Sequence, residues 1–157
     1  MPEDLTGRCT CAEVGFRLSD APIIVHACHC SWCQRETGSA FVLNGVIEAD
    51  RVEVTHGAPV AVDLPSASGG GQRVMRCPSC QVALWSHYLG GSPALAYVRM
   101  GTLDETKSIV PDVHIYTSTK QDWVMLPEGA RAFDGFYRPS AVLAPERYAR
   151  FKAALGR

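Results

Sequence analysis

Cys77-Pro78-Ser79-Cys80 is a C-x-x-C knuckle, and Cys9-Thr10-Cys11 supplies a second pair of thiols more than sixty residues earlier. A tight C-x-x-C turn brings two sulfurs within reach of one ion and frees backbone amides to bond them. Two pairs drawn from distant parts of a chain make a four-cysteine tetrahedron, the usual closed structural zinc site. Cys9, Cys11, Cys77 and Cys80 would therefore tie an N-terminal strand edge or turn to a much later segment. Apparent zinc binding in small modules is worth about 10–16 kcal/mol, comparable to the stability of a whole domain.

Between the two pairs lies Cys28-His29-Cys30-Ser31-Trp32-Cys33, which places three thiols around one point from a single turn. With four sulfurs engaged elsewhere, an ion on Cys28, Cys30 and Cys33 keeps an open fourth position, as catalytic and ligand-binding zinc does. His29 is the alternative fourth ligand, although a ring and sulfurs on adjacent residues usually point apart. Three thiolates outweigh the two charges of zinc by one, so such a site is a damped Lewis acid and a poor generator of hydroxide. It suits an incoming thiol, bound as thiolate. Two zinc ions per chain and a sulfur-bearing substrate are expected.

All seven cysteines fall into these three groups. A disulfide framework would favour an even count in a shorter, secreted chain. At 157 residues, 46% hydrophobic and 20% charged, the chain is expected to form a single domain over residues 1–157 with a substantial core. The net charge of -1 and scattered basic residues give no expectation of a nucleic-acid partner. Met1 to Gly7 includes Glu3 and Asp4 and no apolar stretch, so no secretory signal is expected. No apolar window approaches the roughly 18–20 residues of a membrane span. The expected location is cytoplasmic, where thiols stay reduced.

The rest of the sequence predicts a mainly β protein. Val14, Phe16 and Leu18 share one strand face, with Glu13 and Arg17 on the other; Pro22 leads into Ile23 to Ala27, a buried strand delivering Cys28. Val52 and Val54 alternate with Arg51, Glu53 and Thr55. Strand-like runs follow at Val82 to Tyr88, Ala94 to Met100, Val113 to Thr117 and Trp123 to Leu126. Ser66 to Gly71 reads as a flexible loop with nothing to pack. A helical turn is expected from Trp32 to Glu36 and a short C-terminal helix over about 145–155, starting at Pro145. Its Tyr148, Phe151 and Leu155 lie along one side, which packs on the domain or makes a dimer contact.

Gly7-Arg8-Cys9-Thr10-Cys11, Val14-Gly15-Phe16, and the middle cluster running into Thr37-Gly38-Ser39-Ala40-Phe41 resemble the glutathione-dependent formaldehyde-activating enzyme (GFA) family, which includes centromere protein V. Cys77-Pro78-Ser79-Cys80, Gly101-Thr102-Leu103-Asp104, Pro111-Asp112-Val113-His114, Lys120 and Trp123 extend the resemblance, from Gly7 to about Pro139 (core 7–139). It implies an Mss4-like zinc-bound β-sheet fold with two zinc sites. Cys9, Cys11, Cys77 and Cys80 would hold the structural zinc, and Cys28, Cys30 and Cys33 the second, near which glutathione binds. The implied reaction joins glutathione to formaldehyde as S-(hydroxymethyl)glutathione, a carbon–sulfur lyase reaction. The chain departs from the family at Ala12, where glycine is usual, at Arg76 and Gln81 flanking the knuckle, and at Gln34, where an arginine commonly follows the third cysteine. None of these removes a thiol.

Arg35, Thr37, Gly38, Ser39 and Trp123 are the candidate glutathione pocket. Thr37 to Ala40 would hold a carboxylate through amides and hydroxyls, or simply close the knuckle. Arg35 is a two-pronged carboxylate contact or a solvated surface charge. Trp123 is read first as a core residue and second as a pocket wall; Lys120 first as a surface charge. His114 is read as a satisfied structural histidine, with general base as the alternative. His26, His56 and His87 carry no independent functional signal. Two other functions compete with an enzyme: a zinc-stabilised binding module, which a long basic or proline-rich extension would favour, and a thiol redox sensor.

Overall fold

The structure is a computed structural model that describes residues 5–156. In chain order its strands are β1 (Thr6–Arg8), β2 (Gly15–Leu18), β3 (Ile24–Cys28), β4 (Val42–Glu48), β5 (Val52–His56), β6 (Val60–Leu64), β7 (Gln72–Arg76), β8 (Ala83–Tyr88), β9 (Leu95–Arg99) and β10 (Val113–Ile115). Three α-helices join them: α1 (Ser31–Thr37), α2 (Pro139–Val142) and α3 (Pro145–Ala154). Strands β1-β2-β5 form a small antiparallel sheet. The larger sheet runs β10-β3-β4-β9-β8-β7-β6, antiparallel except where β10 joins β3. This is the mainly β architecture, with a short C-terminal helix, that the alternating pattern predicts.

Period-two alternation gives the larger sheet two different faces. Val25 on β3, Ile47 on β4, Leu84 on β8, and Ala96 and Val98 on β9 point to one side and pack with Phe16 and Leu18 of the small sheet. Phe16 meets Trp85 edge-on, ring centres 5.7 Å apart. Cys9 and Cys77 sit in this same cluster, so the first cysteine group is anchored where the two sheets meet. The opposite side carries Ile24 and Cys28 of β3, Val42 and Val46 of β4, and Leu95 of β9. There Tyr137, Leu143, the α3 residues Tyr148 and Phe151, and Leu155 just after that helix cover it. Arg150 fixes that docking with two hydrogen bonds to Glu48, at 2.9 and 2.7 Å.

Several expectations need correction. Trp123 to Leu126 forms no strand: Lys120 Nζ donates to the carbonyls of Gln121 and Val124, and Pro127 has no amide to continue a ladder. Trp123 is 71% exposed rather than buried in the core, and Lys120 is half-buried by those same contacts. The run from Val113 stops at Ile115 because Tyr116 adopts φ 55, which turns the chain out of the strand. Ser66 to Gly71 is not unpacked. Ser66 is buried, its Oγ accepts from the Gly71 amide, and Gly70 lies so close to Gly90 that a Cβ there would stand 2.9 Å from the Gly90 Cα.

Candidate functional site

The first cysteine group is assembled by two turns from opposite ends of the fold. Cys9 and Cys11 follow β1, Cys77 and Cys80 follow β7, and their four sulfurs lie within 4.8 Å of one another. Cys11 Sγ is 3.5 Å from Cys9 Sγ and 3.6 Å from Cys77 Sγ. A tetrahedron with metal–sulfur bonds of about 2.3 Å has edges of about 3.8 Å, so the spacing fits a four-thiolate ion. Amides point inward: Val14 N donates to Cys9 Sγ at 3.3 Å. Burial opposes ionisation of Cys9, but this amide and the neighbouring sulfurs of Cys11 and Cys77 hold its pKa below the usual thiol value. The amides of Cys11 and Val82 bring Cys80 down to about 6. Cys11 is driven up to about 12: the Glu13 amide favours its thiolate, but the sulfurs around it together outweigh that bond. Four crowded thiols thus cannot all ionise unless a cation joins them.

The residue after each pair is in the left-handed region, Ala12 at φ 61 and Gln81 at φ 60. Each knuckle needs that turn to fold its second sulfur back over the first. Glycine adopts this region without cost, so Ala12 and Gln81 both carry backbone strain.

The second group is built from β3 running into α1. Cys28 is the last residue of β3; Cys30 is the N-cap of α1, its sulfur accepting from Cys33 N at 3.3 Å; Cys33 is in the first turn. These three sulfurs also lie within 4.8 Å of one another, and among the described residues no fourth His, Cys, Asp or Glu joins them. His29 points away. It is fully buried, with Nε2 3.0 Å from His114 Nδ1. His114 is correspondingly a buried, hydrogen-bonded histidine. Hydrogen bonds from Cys28 and then Cys33 push the Cys30 thiol down to about 2, while Cys30 pushes Cys28 up to about 12 and both neighbours push Cys33 up. One thiolate forms easily here, and the next needs positive charge. Gln34 Nε2 donates to the carbonyls of His29 and Thr119, pinning the 117–119 turn against the cluster.

Cys28, Cys30 and Cys33 open onto a cavity of about 320 Å³. Its floor is the α3-side face of β3, β4 and β9; its rim is α1, the 66–68 loop and Phe136. Five aromatic side chains contribute to the lining, Trp32, Tyr88, Tyr97, Tyr116 and Phe136, and Tyr88 meets Tyr97 edge-on at 4.8 Å. His26 stands on the floor, buried and 2.7 Å from Tyr137 Oη. Burial brings its pKa down to about 4, so it is neutral at pH 7.

The other pocket candidates separate. Thr37 lines this cavity, whereas Arg35, Gly38, Ser39 and Trp123 line a shallow hollow on the far side of α1, with Gln34 and Gln121. The sequence reading overlooked Asn44 and Arg99 on the cavity floor. The signal was an amide and a guanidinium inside otherwise apolar strands, Val42-Leu43-Asn44-Gly45-Val46-Ile47 and Leu95-Ala96-Tyr97-Val98-Arg99.

Among solved structures, a crystal structure of a Rhodobacter sphaeroides protein is similar, with 18% identity and a TM-score of 0.48, covering 68% of this chain and 91% of that one. No curated protein matches the chain. Among the described residues, no helix is long and apolar enough to cross a membrane. The sequence profile described as glutathione-dependent formaldehyde-activating enzyme matches residues 4–119, across both pairs of the first cysteine group and the whole of the second. With most of its length and all seven cysteines inside that match, the chain belongs to the glutathione-dependent formaldehyde-activating enzyme family.

Proposed function

We propose that the chain is a single-domain, two-zinc enzyme of the carbon–sulfur lyase type, acting on the adduct of glutathione with a small aldehyde, such as S-(hydroxymethyl)glutathione. The observation that carries this reading is the contrast between the two cysteine groups. Four sulfurs enclose one position, and three others face a cavity of small-molecule size. In this reading Cys9, Cys11, Cys77 and Cys80 hold a structural zinc, and Cys28, Cys30 and Cys33 hold the second.

Zinc on three thiolates supplies a soft, weakly acidic position that favours a thiol in its deprotonated form. The chain's own residues do the rest. The aromatic side chains and the 66–68 loop flank the sulfur, and Thr37 at the mouth, whose hydroxyl donates to Cys33 O at 2.8 Å, offers its oxygen as an acceptor to the peptide part of the ligand. His26, neutral at working pH, presents an uncharged hydrogen-bonding edge rather than a competing cation. The reaction joins the thiol sulfur to the aldehyde carbon and leaves the thiol proton on the former carbonyl oxygen. No electrons are exchanged. The protein works in the cytoplasm, where glutathione is abundant and thiols are reduced.

Cobalt substitution tests this. Adding glutathione to the two-cobalt protein is expected to change the thiolate-to-metal absorption of the Cys28, Cys30 and Cys33 site and to leave that of the four-cysteine site unchanged. An unaltered spectrum at millimolar glutathione would rule the reading out.

A further inference from the structure

Arg99 is 8% exposed, and among the described residues no carboxylate lies within 4.0 Å of it. Arginine cannot shed its charge in a protein, and an unpaired buried charge is costly. The groups around it do not offset that cost. Its Nη1 donates to Asn44 Oδ1 at 2.6 Å and, more weakly, to Ser86 Oγ at 3.4 Å, both neutral. Its Nε is buried without a partner, and its Nη2 makes no hydrogen bond among the described residues. The one acidic residue on the cavity wall, Glu36, is engaged by Arg76.

The sheet register places this cation deliberately. His26 on β3 pairs with Asn44 on β4, and Asn44 pairs with Arg99 on β9, so three polar side chains form one row across the cavity floor. Asn44 accepts from Arg99 and thereby fixes the guanidinium plane. A face serving only as core would carry apolar residues in this row, as it does one pair further along β3 and β4 at Ile24 and Val46.

We propose that Arg99, held by Asn44, is the specificity-determining anion site of the cavity, and that it takes a carboxylate of the thiol ligand. This rests on the thiol reading above. A three-thiolate zinc carries net negative charge and repels anions, and Arg99 is the only lysine or arginine lining the cavity among the described residues. A ligand carrying both a thiol and carboxylates therefore needs Arg99 to enter, and a neutral thiol does not. The guanidinium offers a planar fork that matches a carboxylate.

The test uses the zinc-loaded full chain and calorimetric binding of S-methylglutathione, whose sulfur is capped, against its dimethyl ester. Wild type is expected to bind the acid at least about tenfold more tightly than the ester. Arg99→Gln should bring the two within about twofold, and Arg99→Lys should retain part of the preference. The preference should also survive 0.5 M salt, because a buried pair is weakly screened, and this measurement needs no variant should Arg99→Gln fail to fold. Equal binding of acid and ester by wild type, or an unchanged preference in folded Arg99→Gln, overturns the proposal. So does an Arg99→Gln protein whose only defect is lost zinc, which would make Arg99 a counter-charge to the cysteines. The two readings fail separately: if the thiol reading is wrong, glutathione leaves the cobalt spectrum unchanged while the acid–ester preference remains.

Discussion

Replacing Ala12 with glycine should stabilise this protein, although an exposed Ala→Gly change ordinarily does the opposite. Ala12 stands at φ 61 directly after Cys11, with its amide bonded to Cys9 O at 3.0 Å and its carbonyl accepting from His56 Nε2 at 3.0 Å. Both bonds are unaffected by loss of the methyl group, which is exposed and buries nothing. An L-residue in this region costs about 1–2 kcal/mol. The extra freedom of glycine in the unfolded chain returns about 0.5–1 kcal/mol. The net gain is about 0.5–1 kcal/mol, or about 1–4 °C in melting temperature for a chain of this size. Thermal unfolding by circular dichroism at fixed excess zinc reads it, since free metal concentration itself shifts the midpoint. Ala12→Val is the control, because a branched Cβ is worse tolerated there, and it should melt lower than wild type. A lower melting temperature for Ala12→Gly would refute the argument that the knuckle turn stores strain. Gln81, at φ 60 on the opposite knuckle, should gain less from the same change, because its side-chain bond to Pro78 O is lost.

The two cysteine groups should respond differently to mutation. Cys77→Ser breaks a cage in the core between the sheets and is expected to yield unfolded or insoluble protein, since metal binding worth about 10–16 kcal/mol equals a domain's stability. Cys33→Ser is expected to fold, retain one ion and lose its response to glutathione; metal analysis of soluble fractions distinguishes the two. Acid should destabilise the fold through His26. Its folded pKa of about 4 lies below the ordinary 6.5, so the unfolded chain binds more protons between those values. The contribution is complete above about pH 6.5 and fades as pH falls towards 4, with about 2 kcal/mol lost between pH 7.5 and 5. His26→Gln keeps a partner for Tyr137 but does not titrate, so denaturant midpoints of the two proteins should converge with falling pH. A constant gap would contradict this.

Much of the fold was legible because its signals are local. Val14, Phe16 and Leu18 alternate cleanly, Ile23 to Ala27 is a continuous apolar run, and Pro145 marks the start of α3. Strands β4, β6 and β7 escaped notice for opposite reasons. Asn44 and Gly45 interrupt β4, while β6 is half-exposed and borders the larger sheet, so its pattern lacks a strongly apolar face. Trp123 to Leu126 has strand composition, but the Lys120 side chain takes the carbonyls of Gln121 and Val124, which no local pattern reveals. At the site, cysteine spacing alone grouped all seven sulfurs as the folded chain does. The cavity was not legible. Its floor comes from residues on β3, β4 and β9 whose neighbours are set by register, so His26, Asn44 and Arg99 align only once the strands are paired. Proximity in sequence pointed instead to Arg35, Gly38 and Ser39, which α1 directs to its other side.

The most direct test of a sealed four-sulfur site beside an open three-sulfur one is zinc-edge anomalous diffraction from crystals of the metal-loaded protein. Two peaks per chain are predicted, one enclosed by Cys9, Cys11, Cys77 and Cys80, the other bound by Cys28, Cys30 and Cys33 with its remaining position facing the cavity. A single peak, or a second ion whose fourth ligand is a protein side chain such as His29, would contradict it.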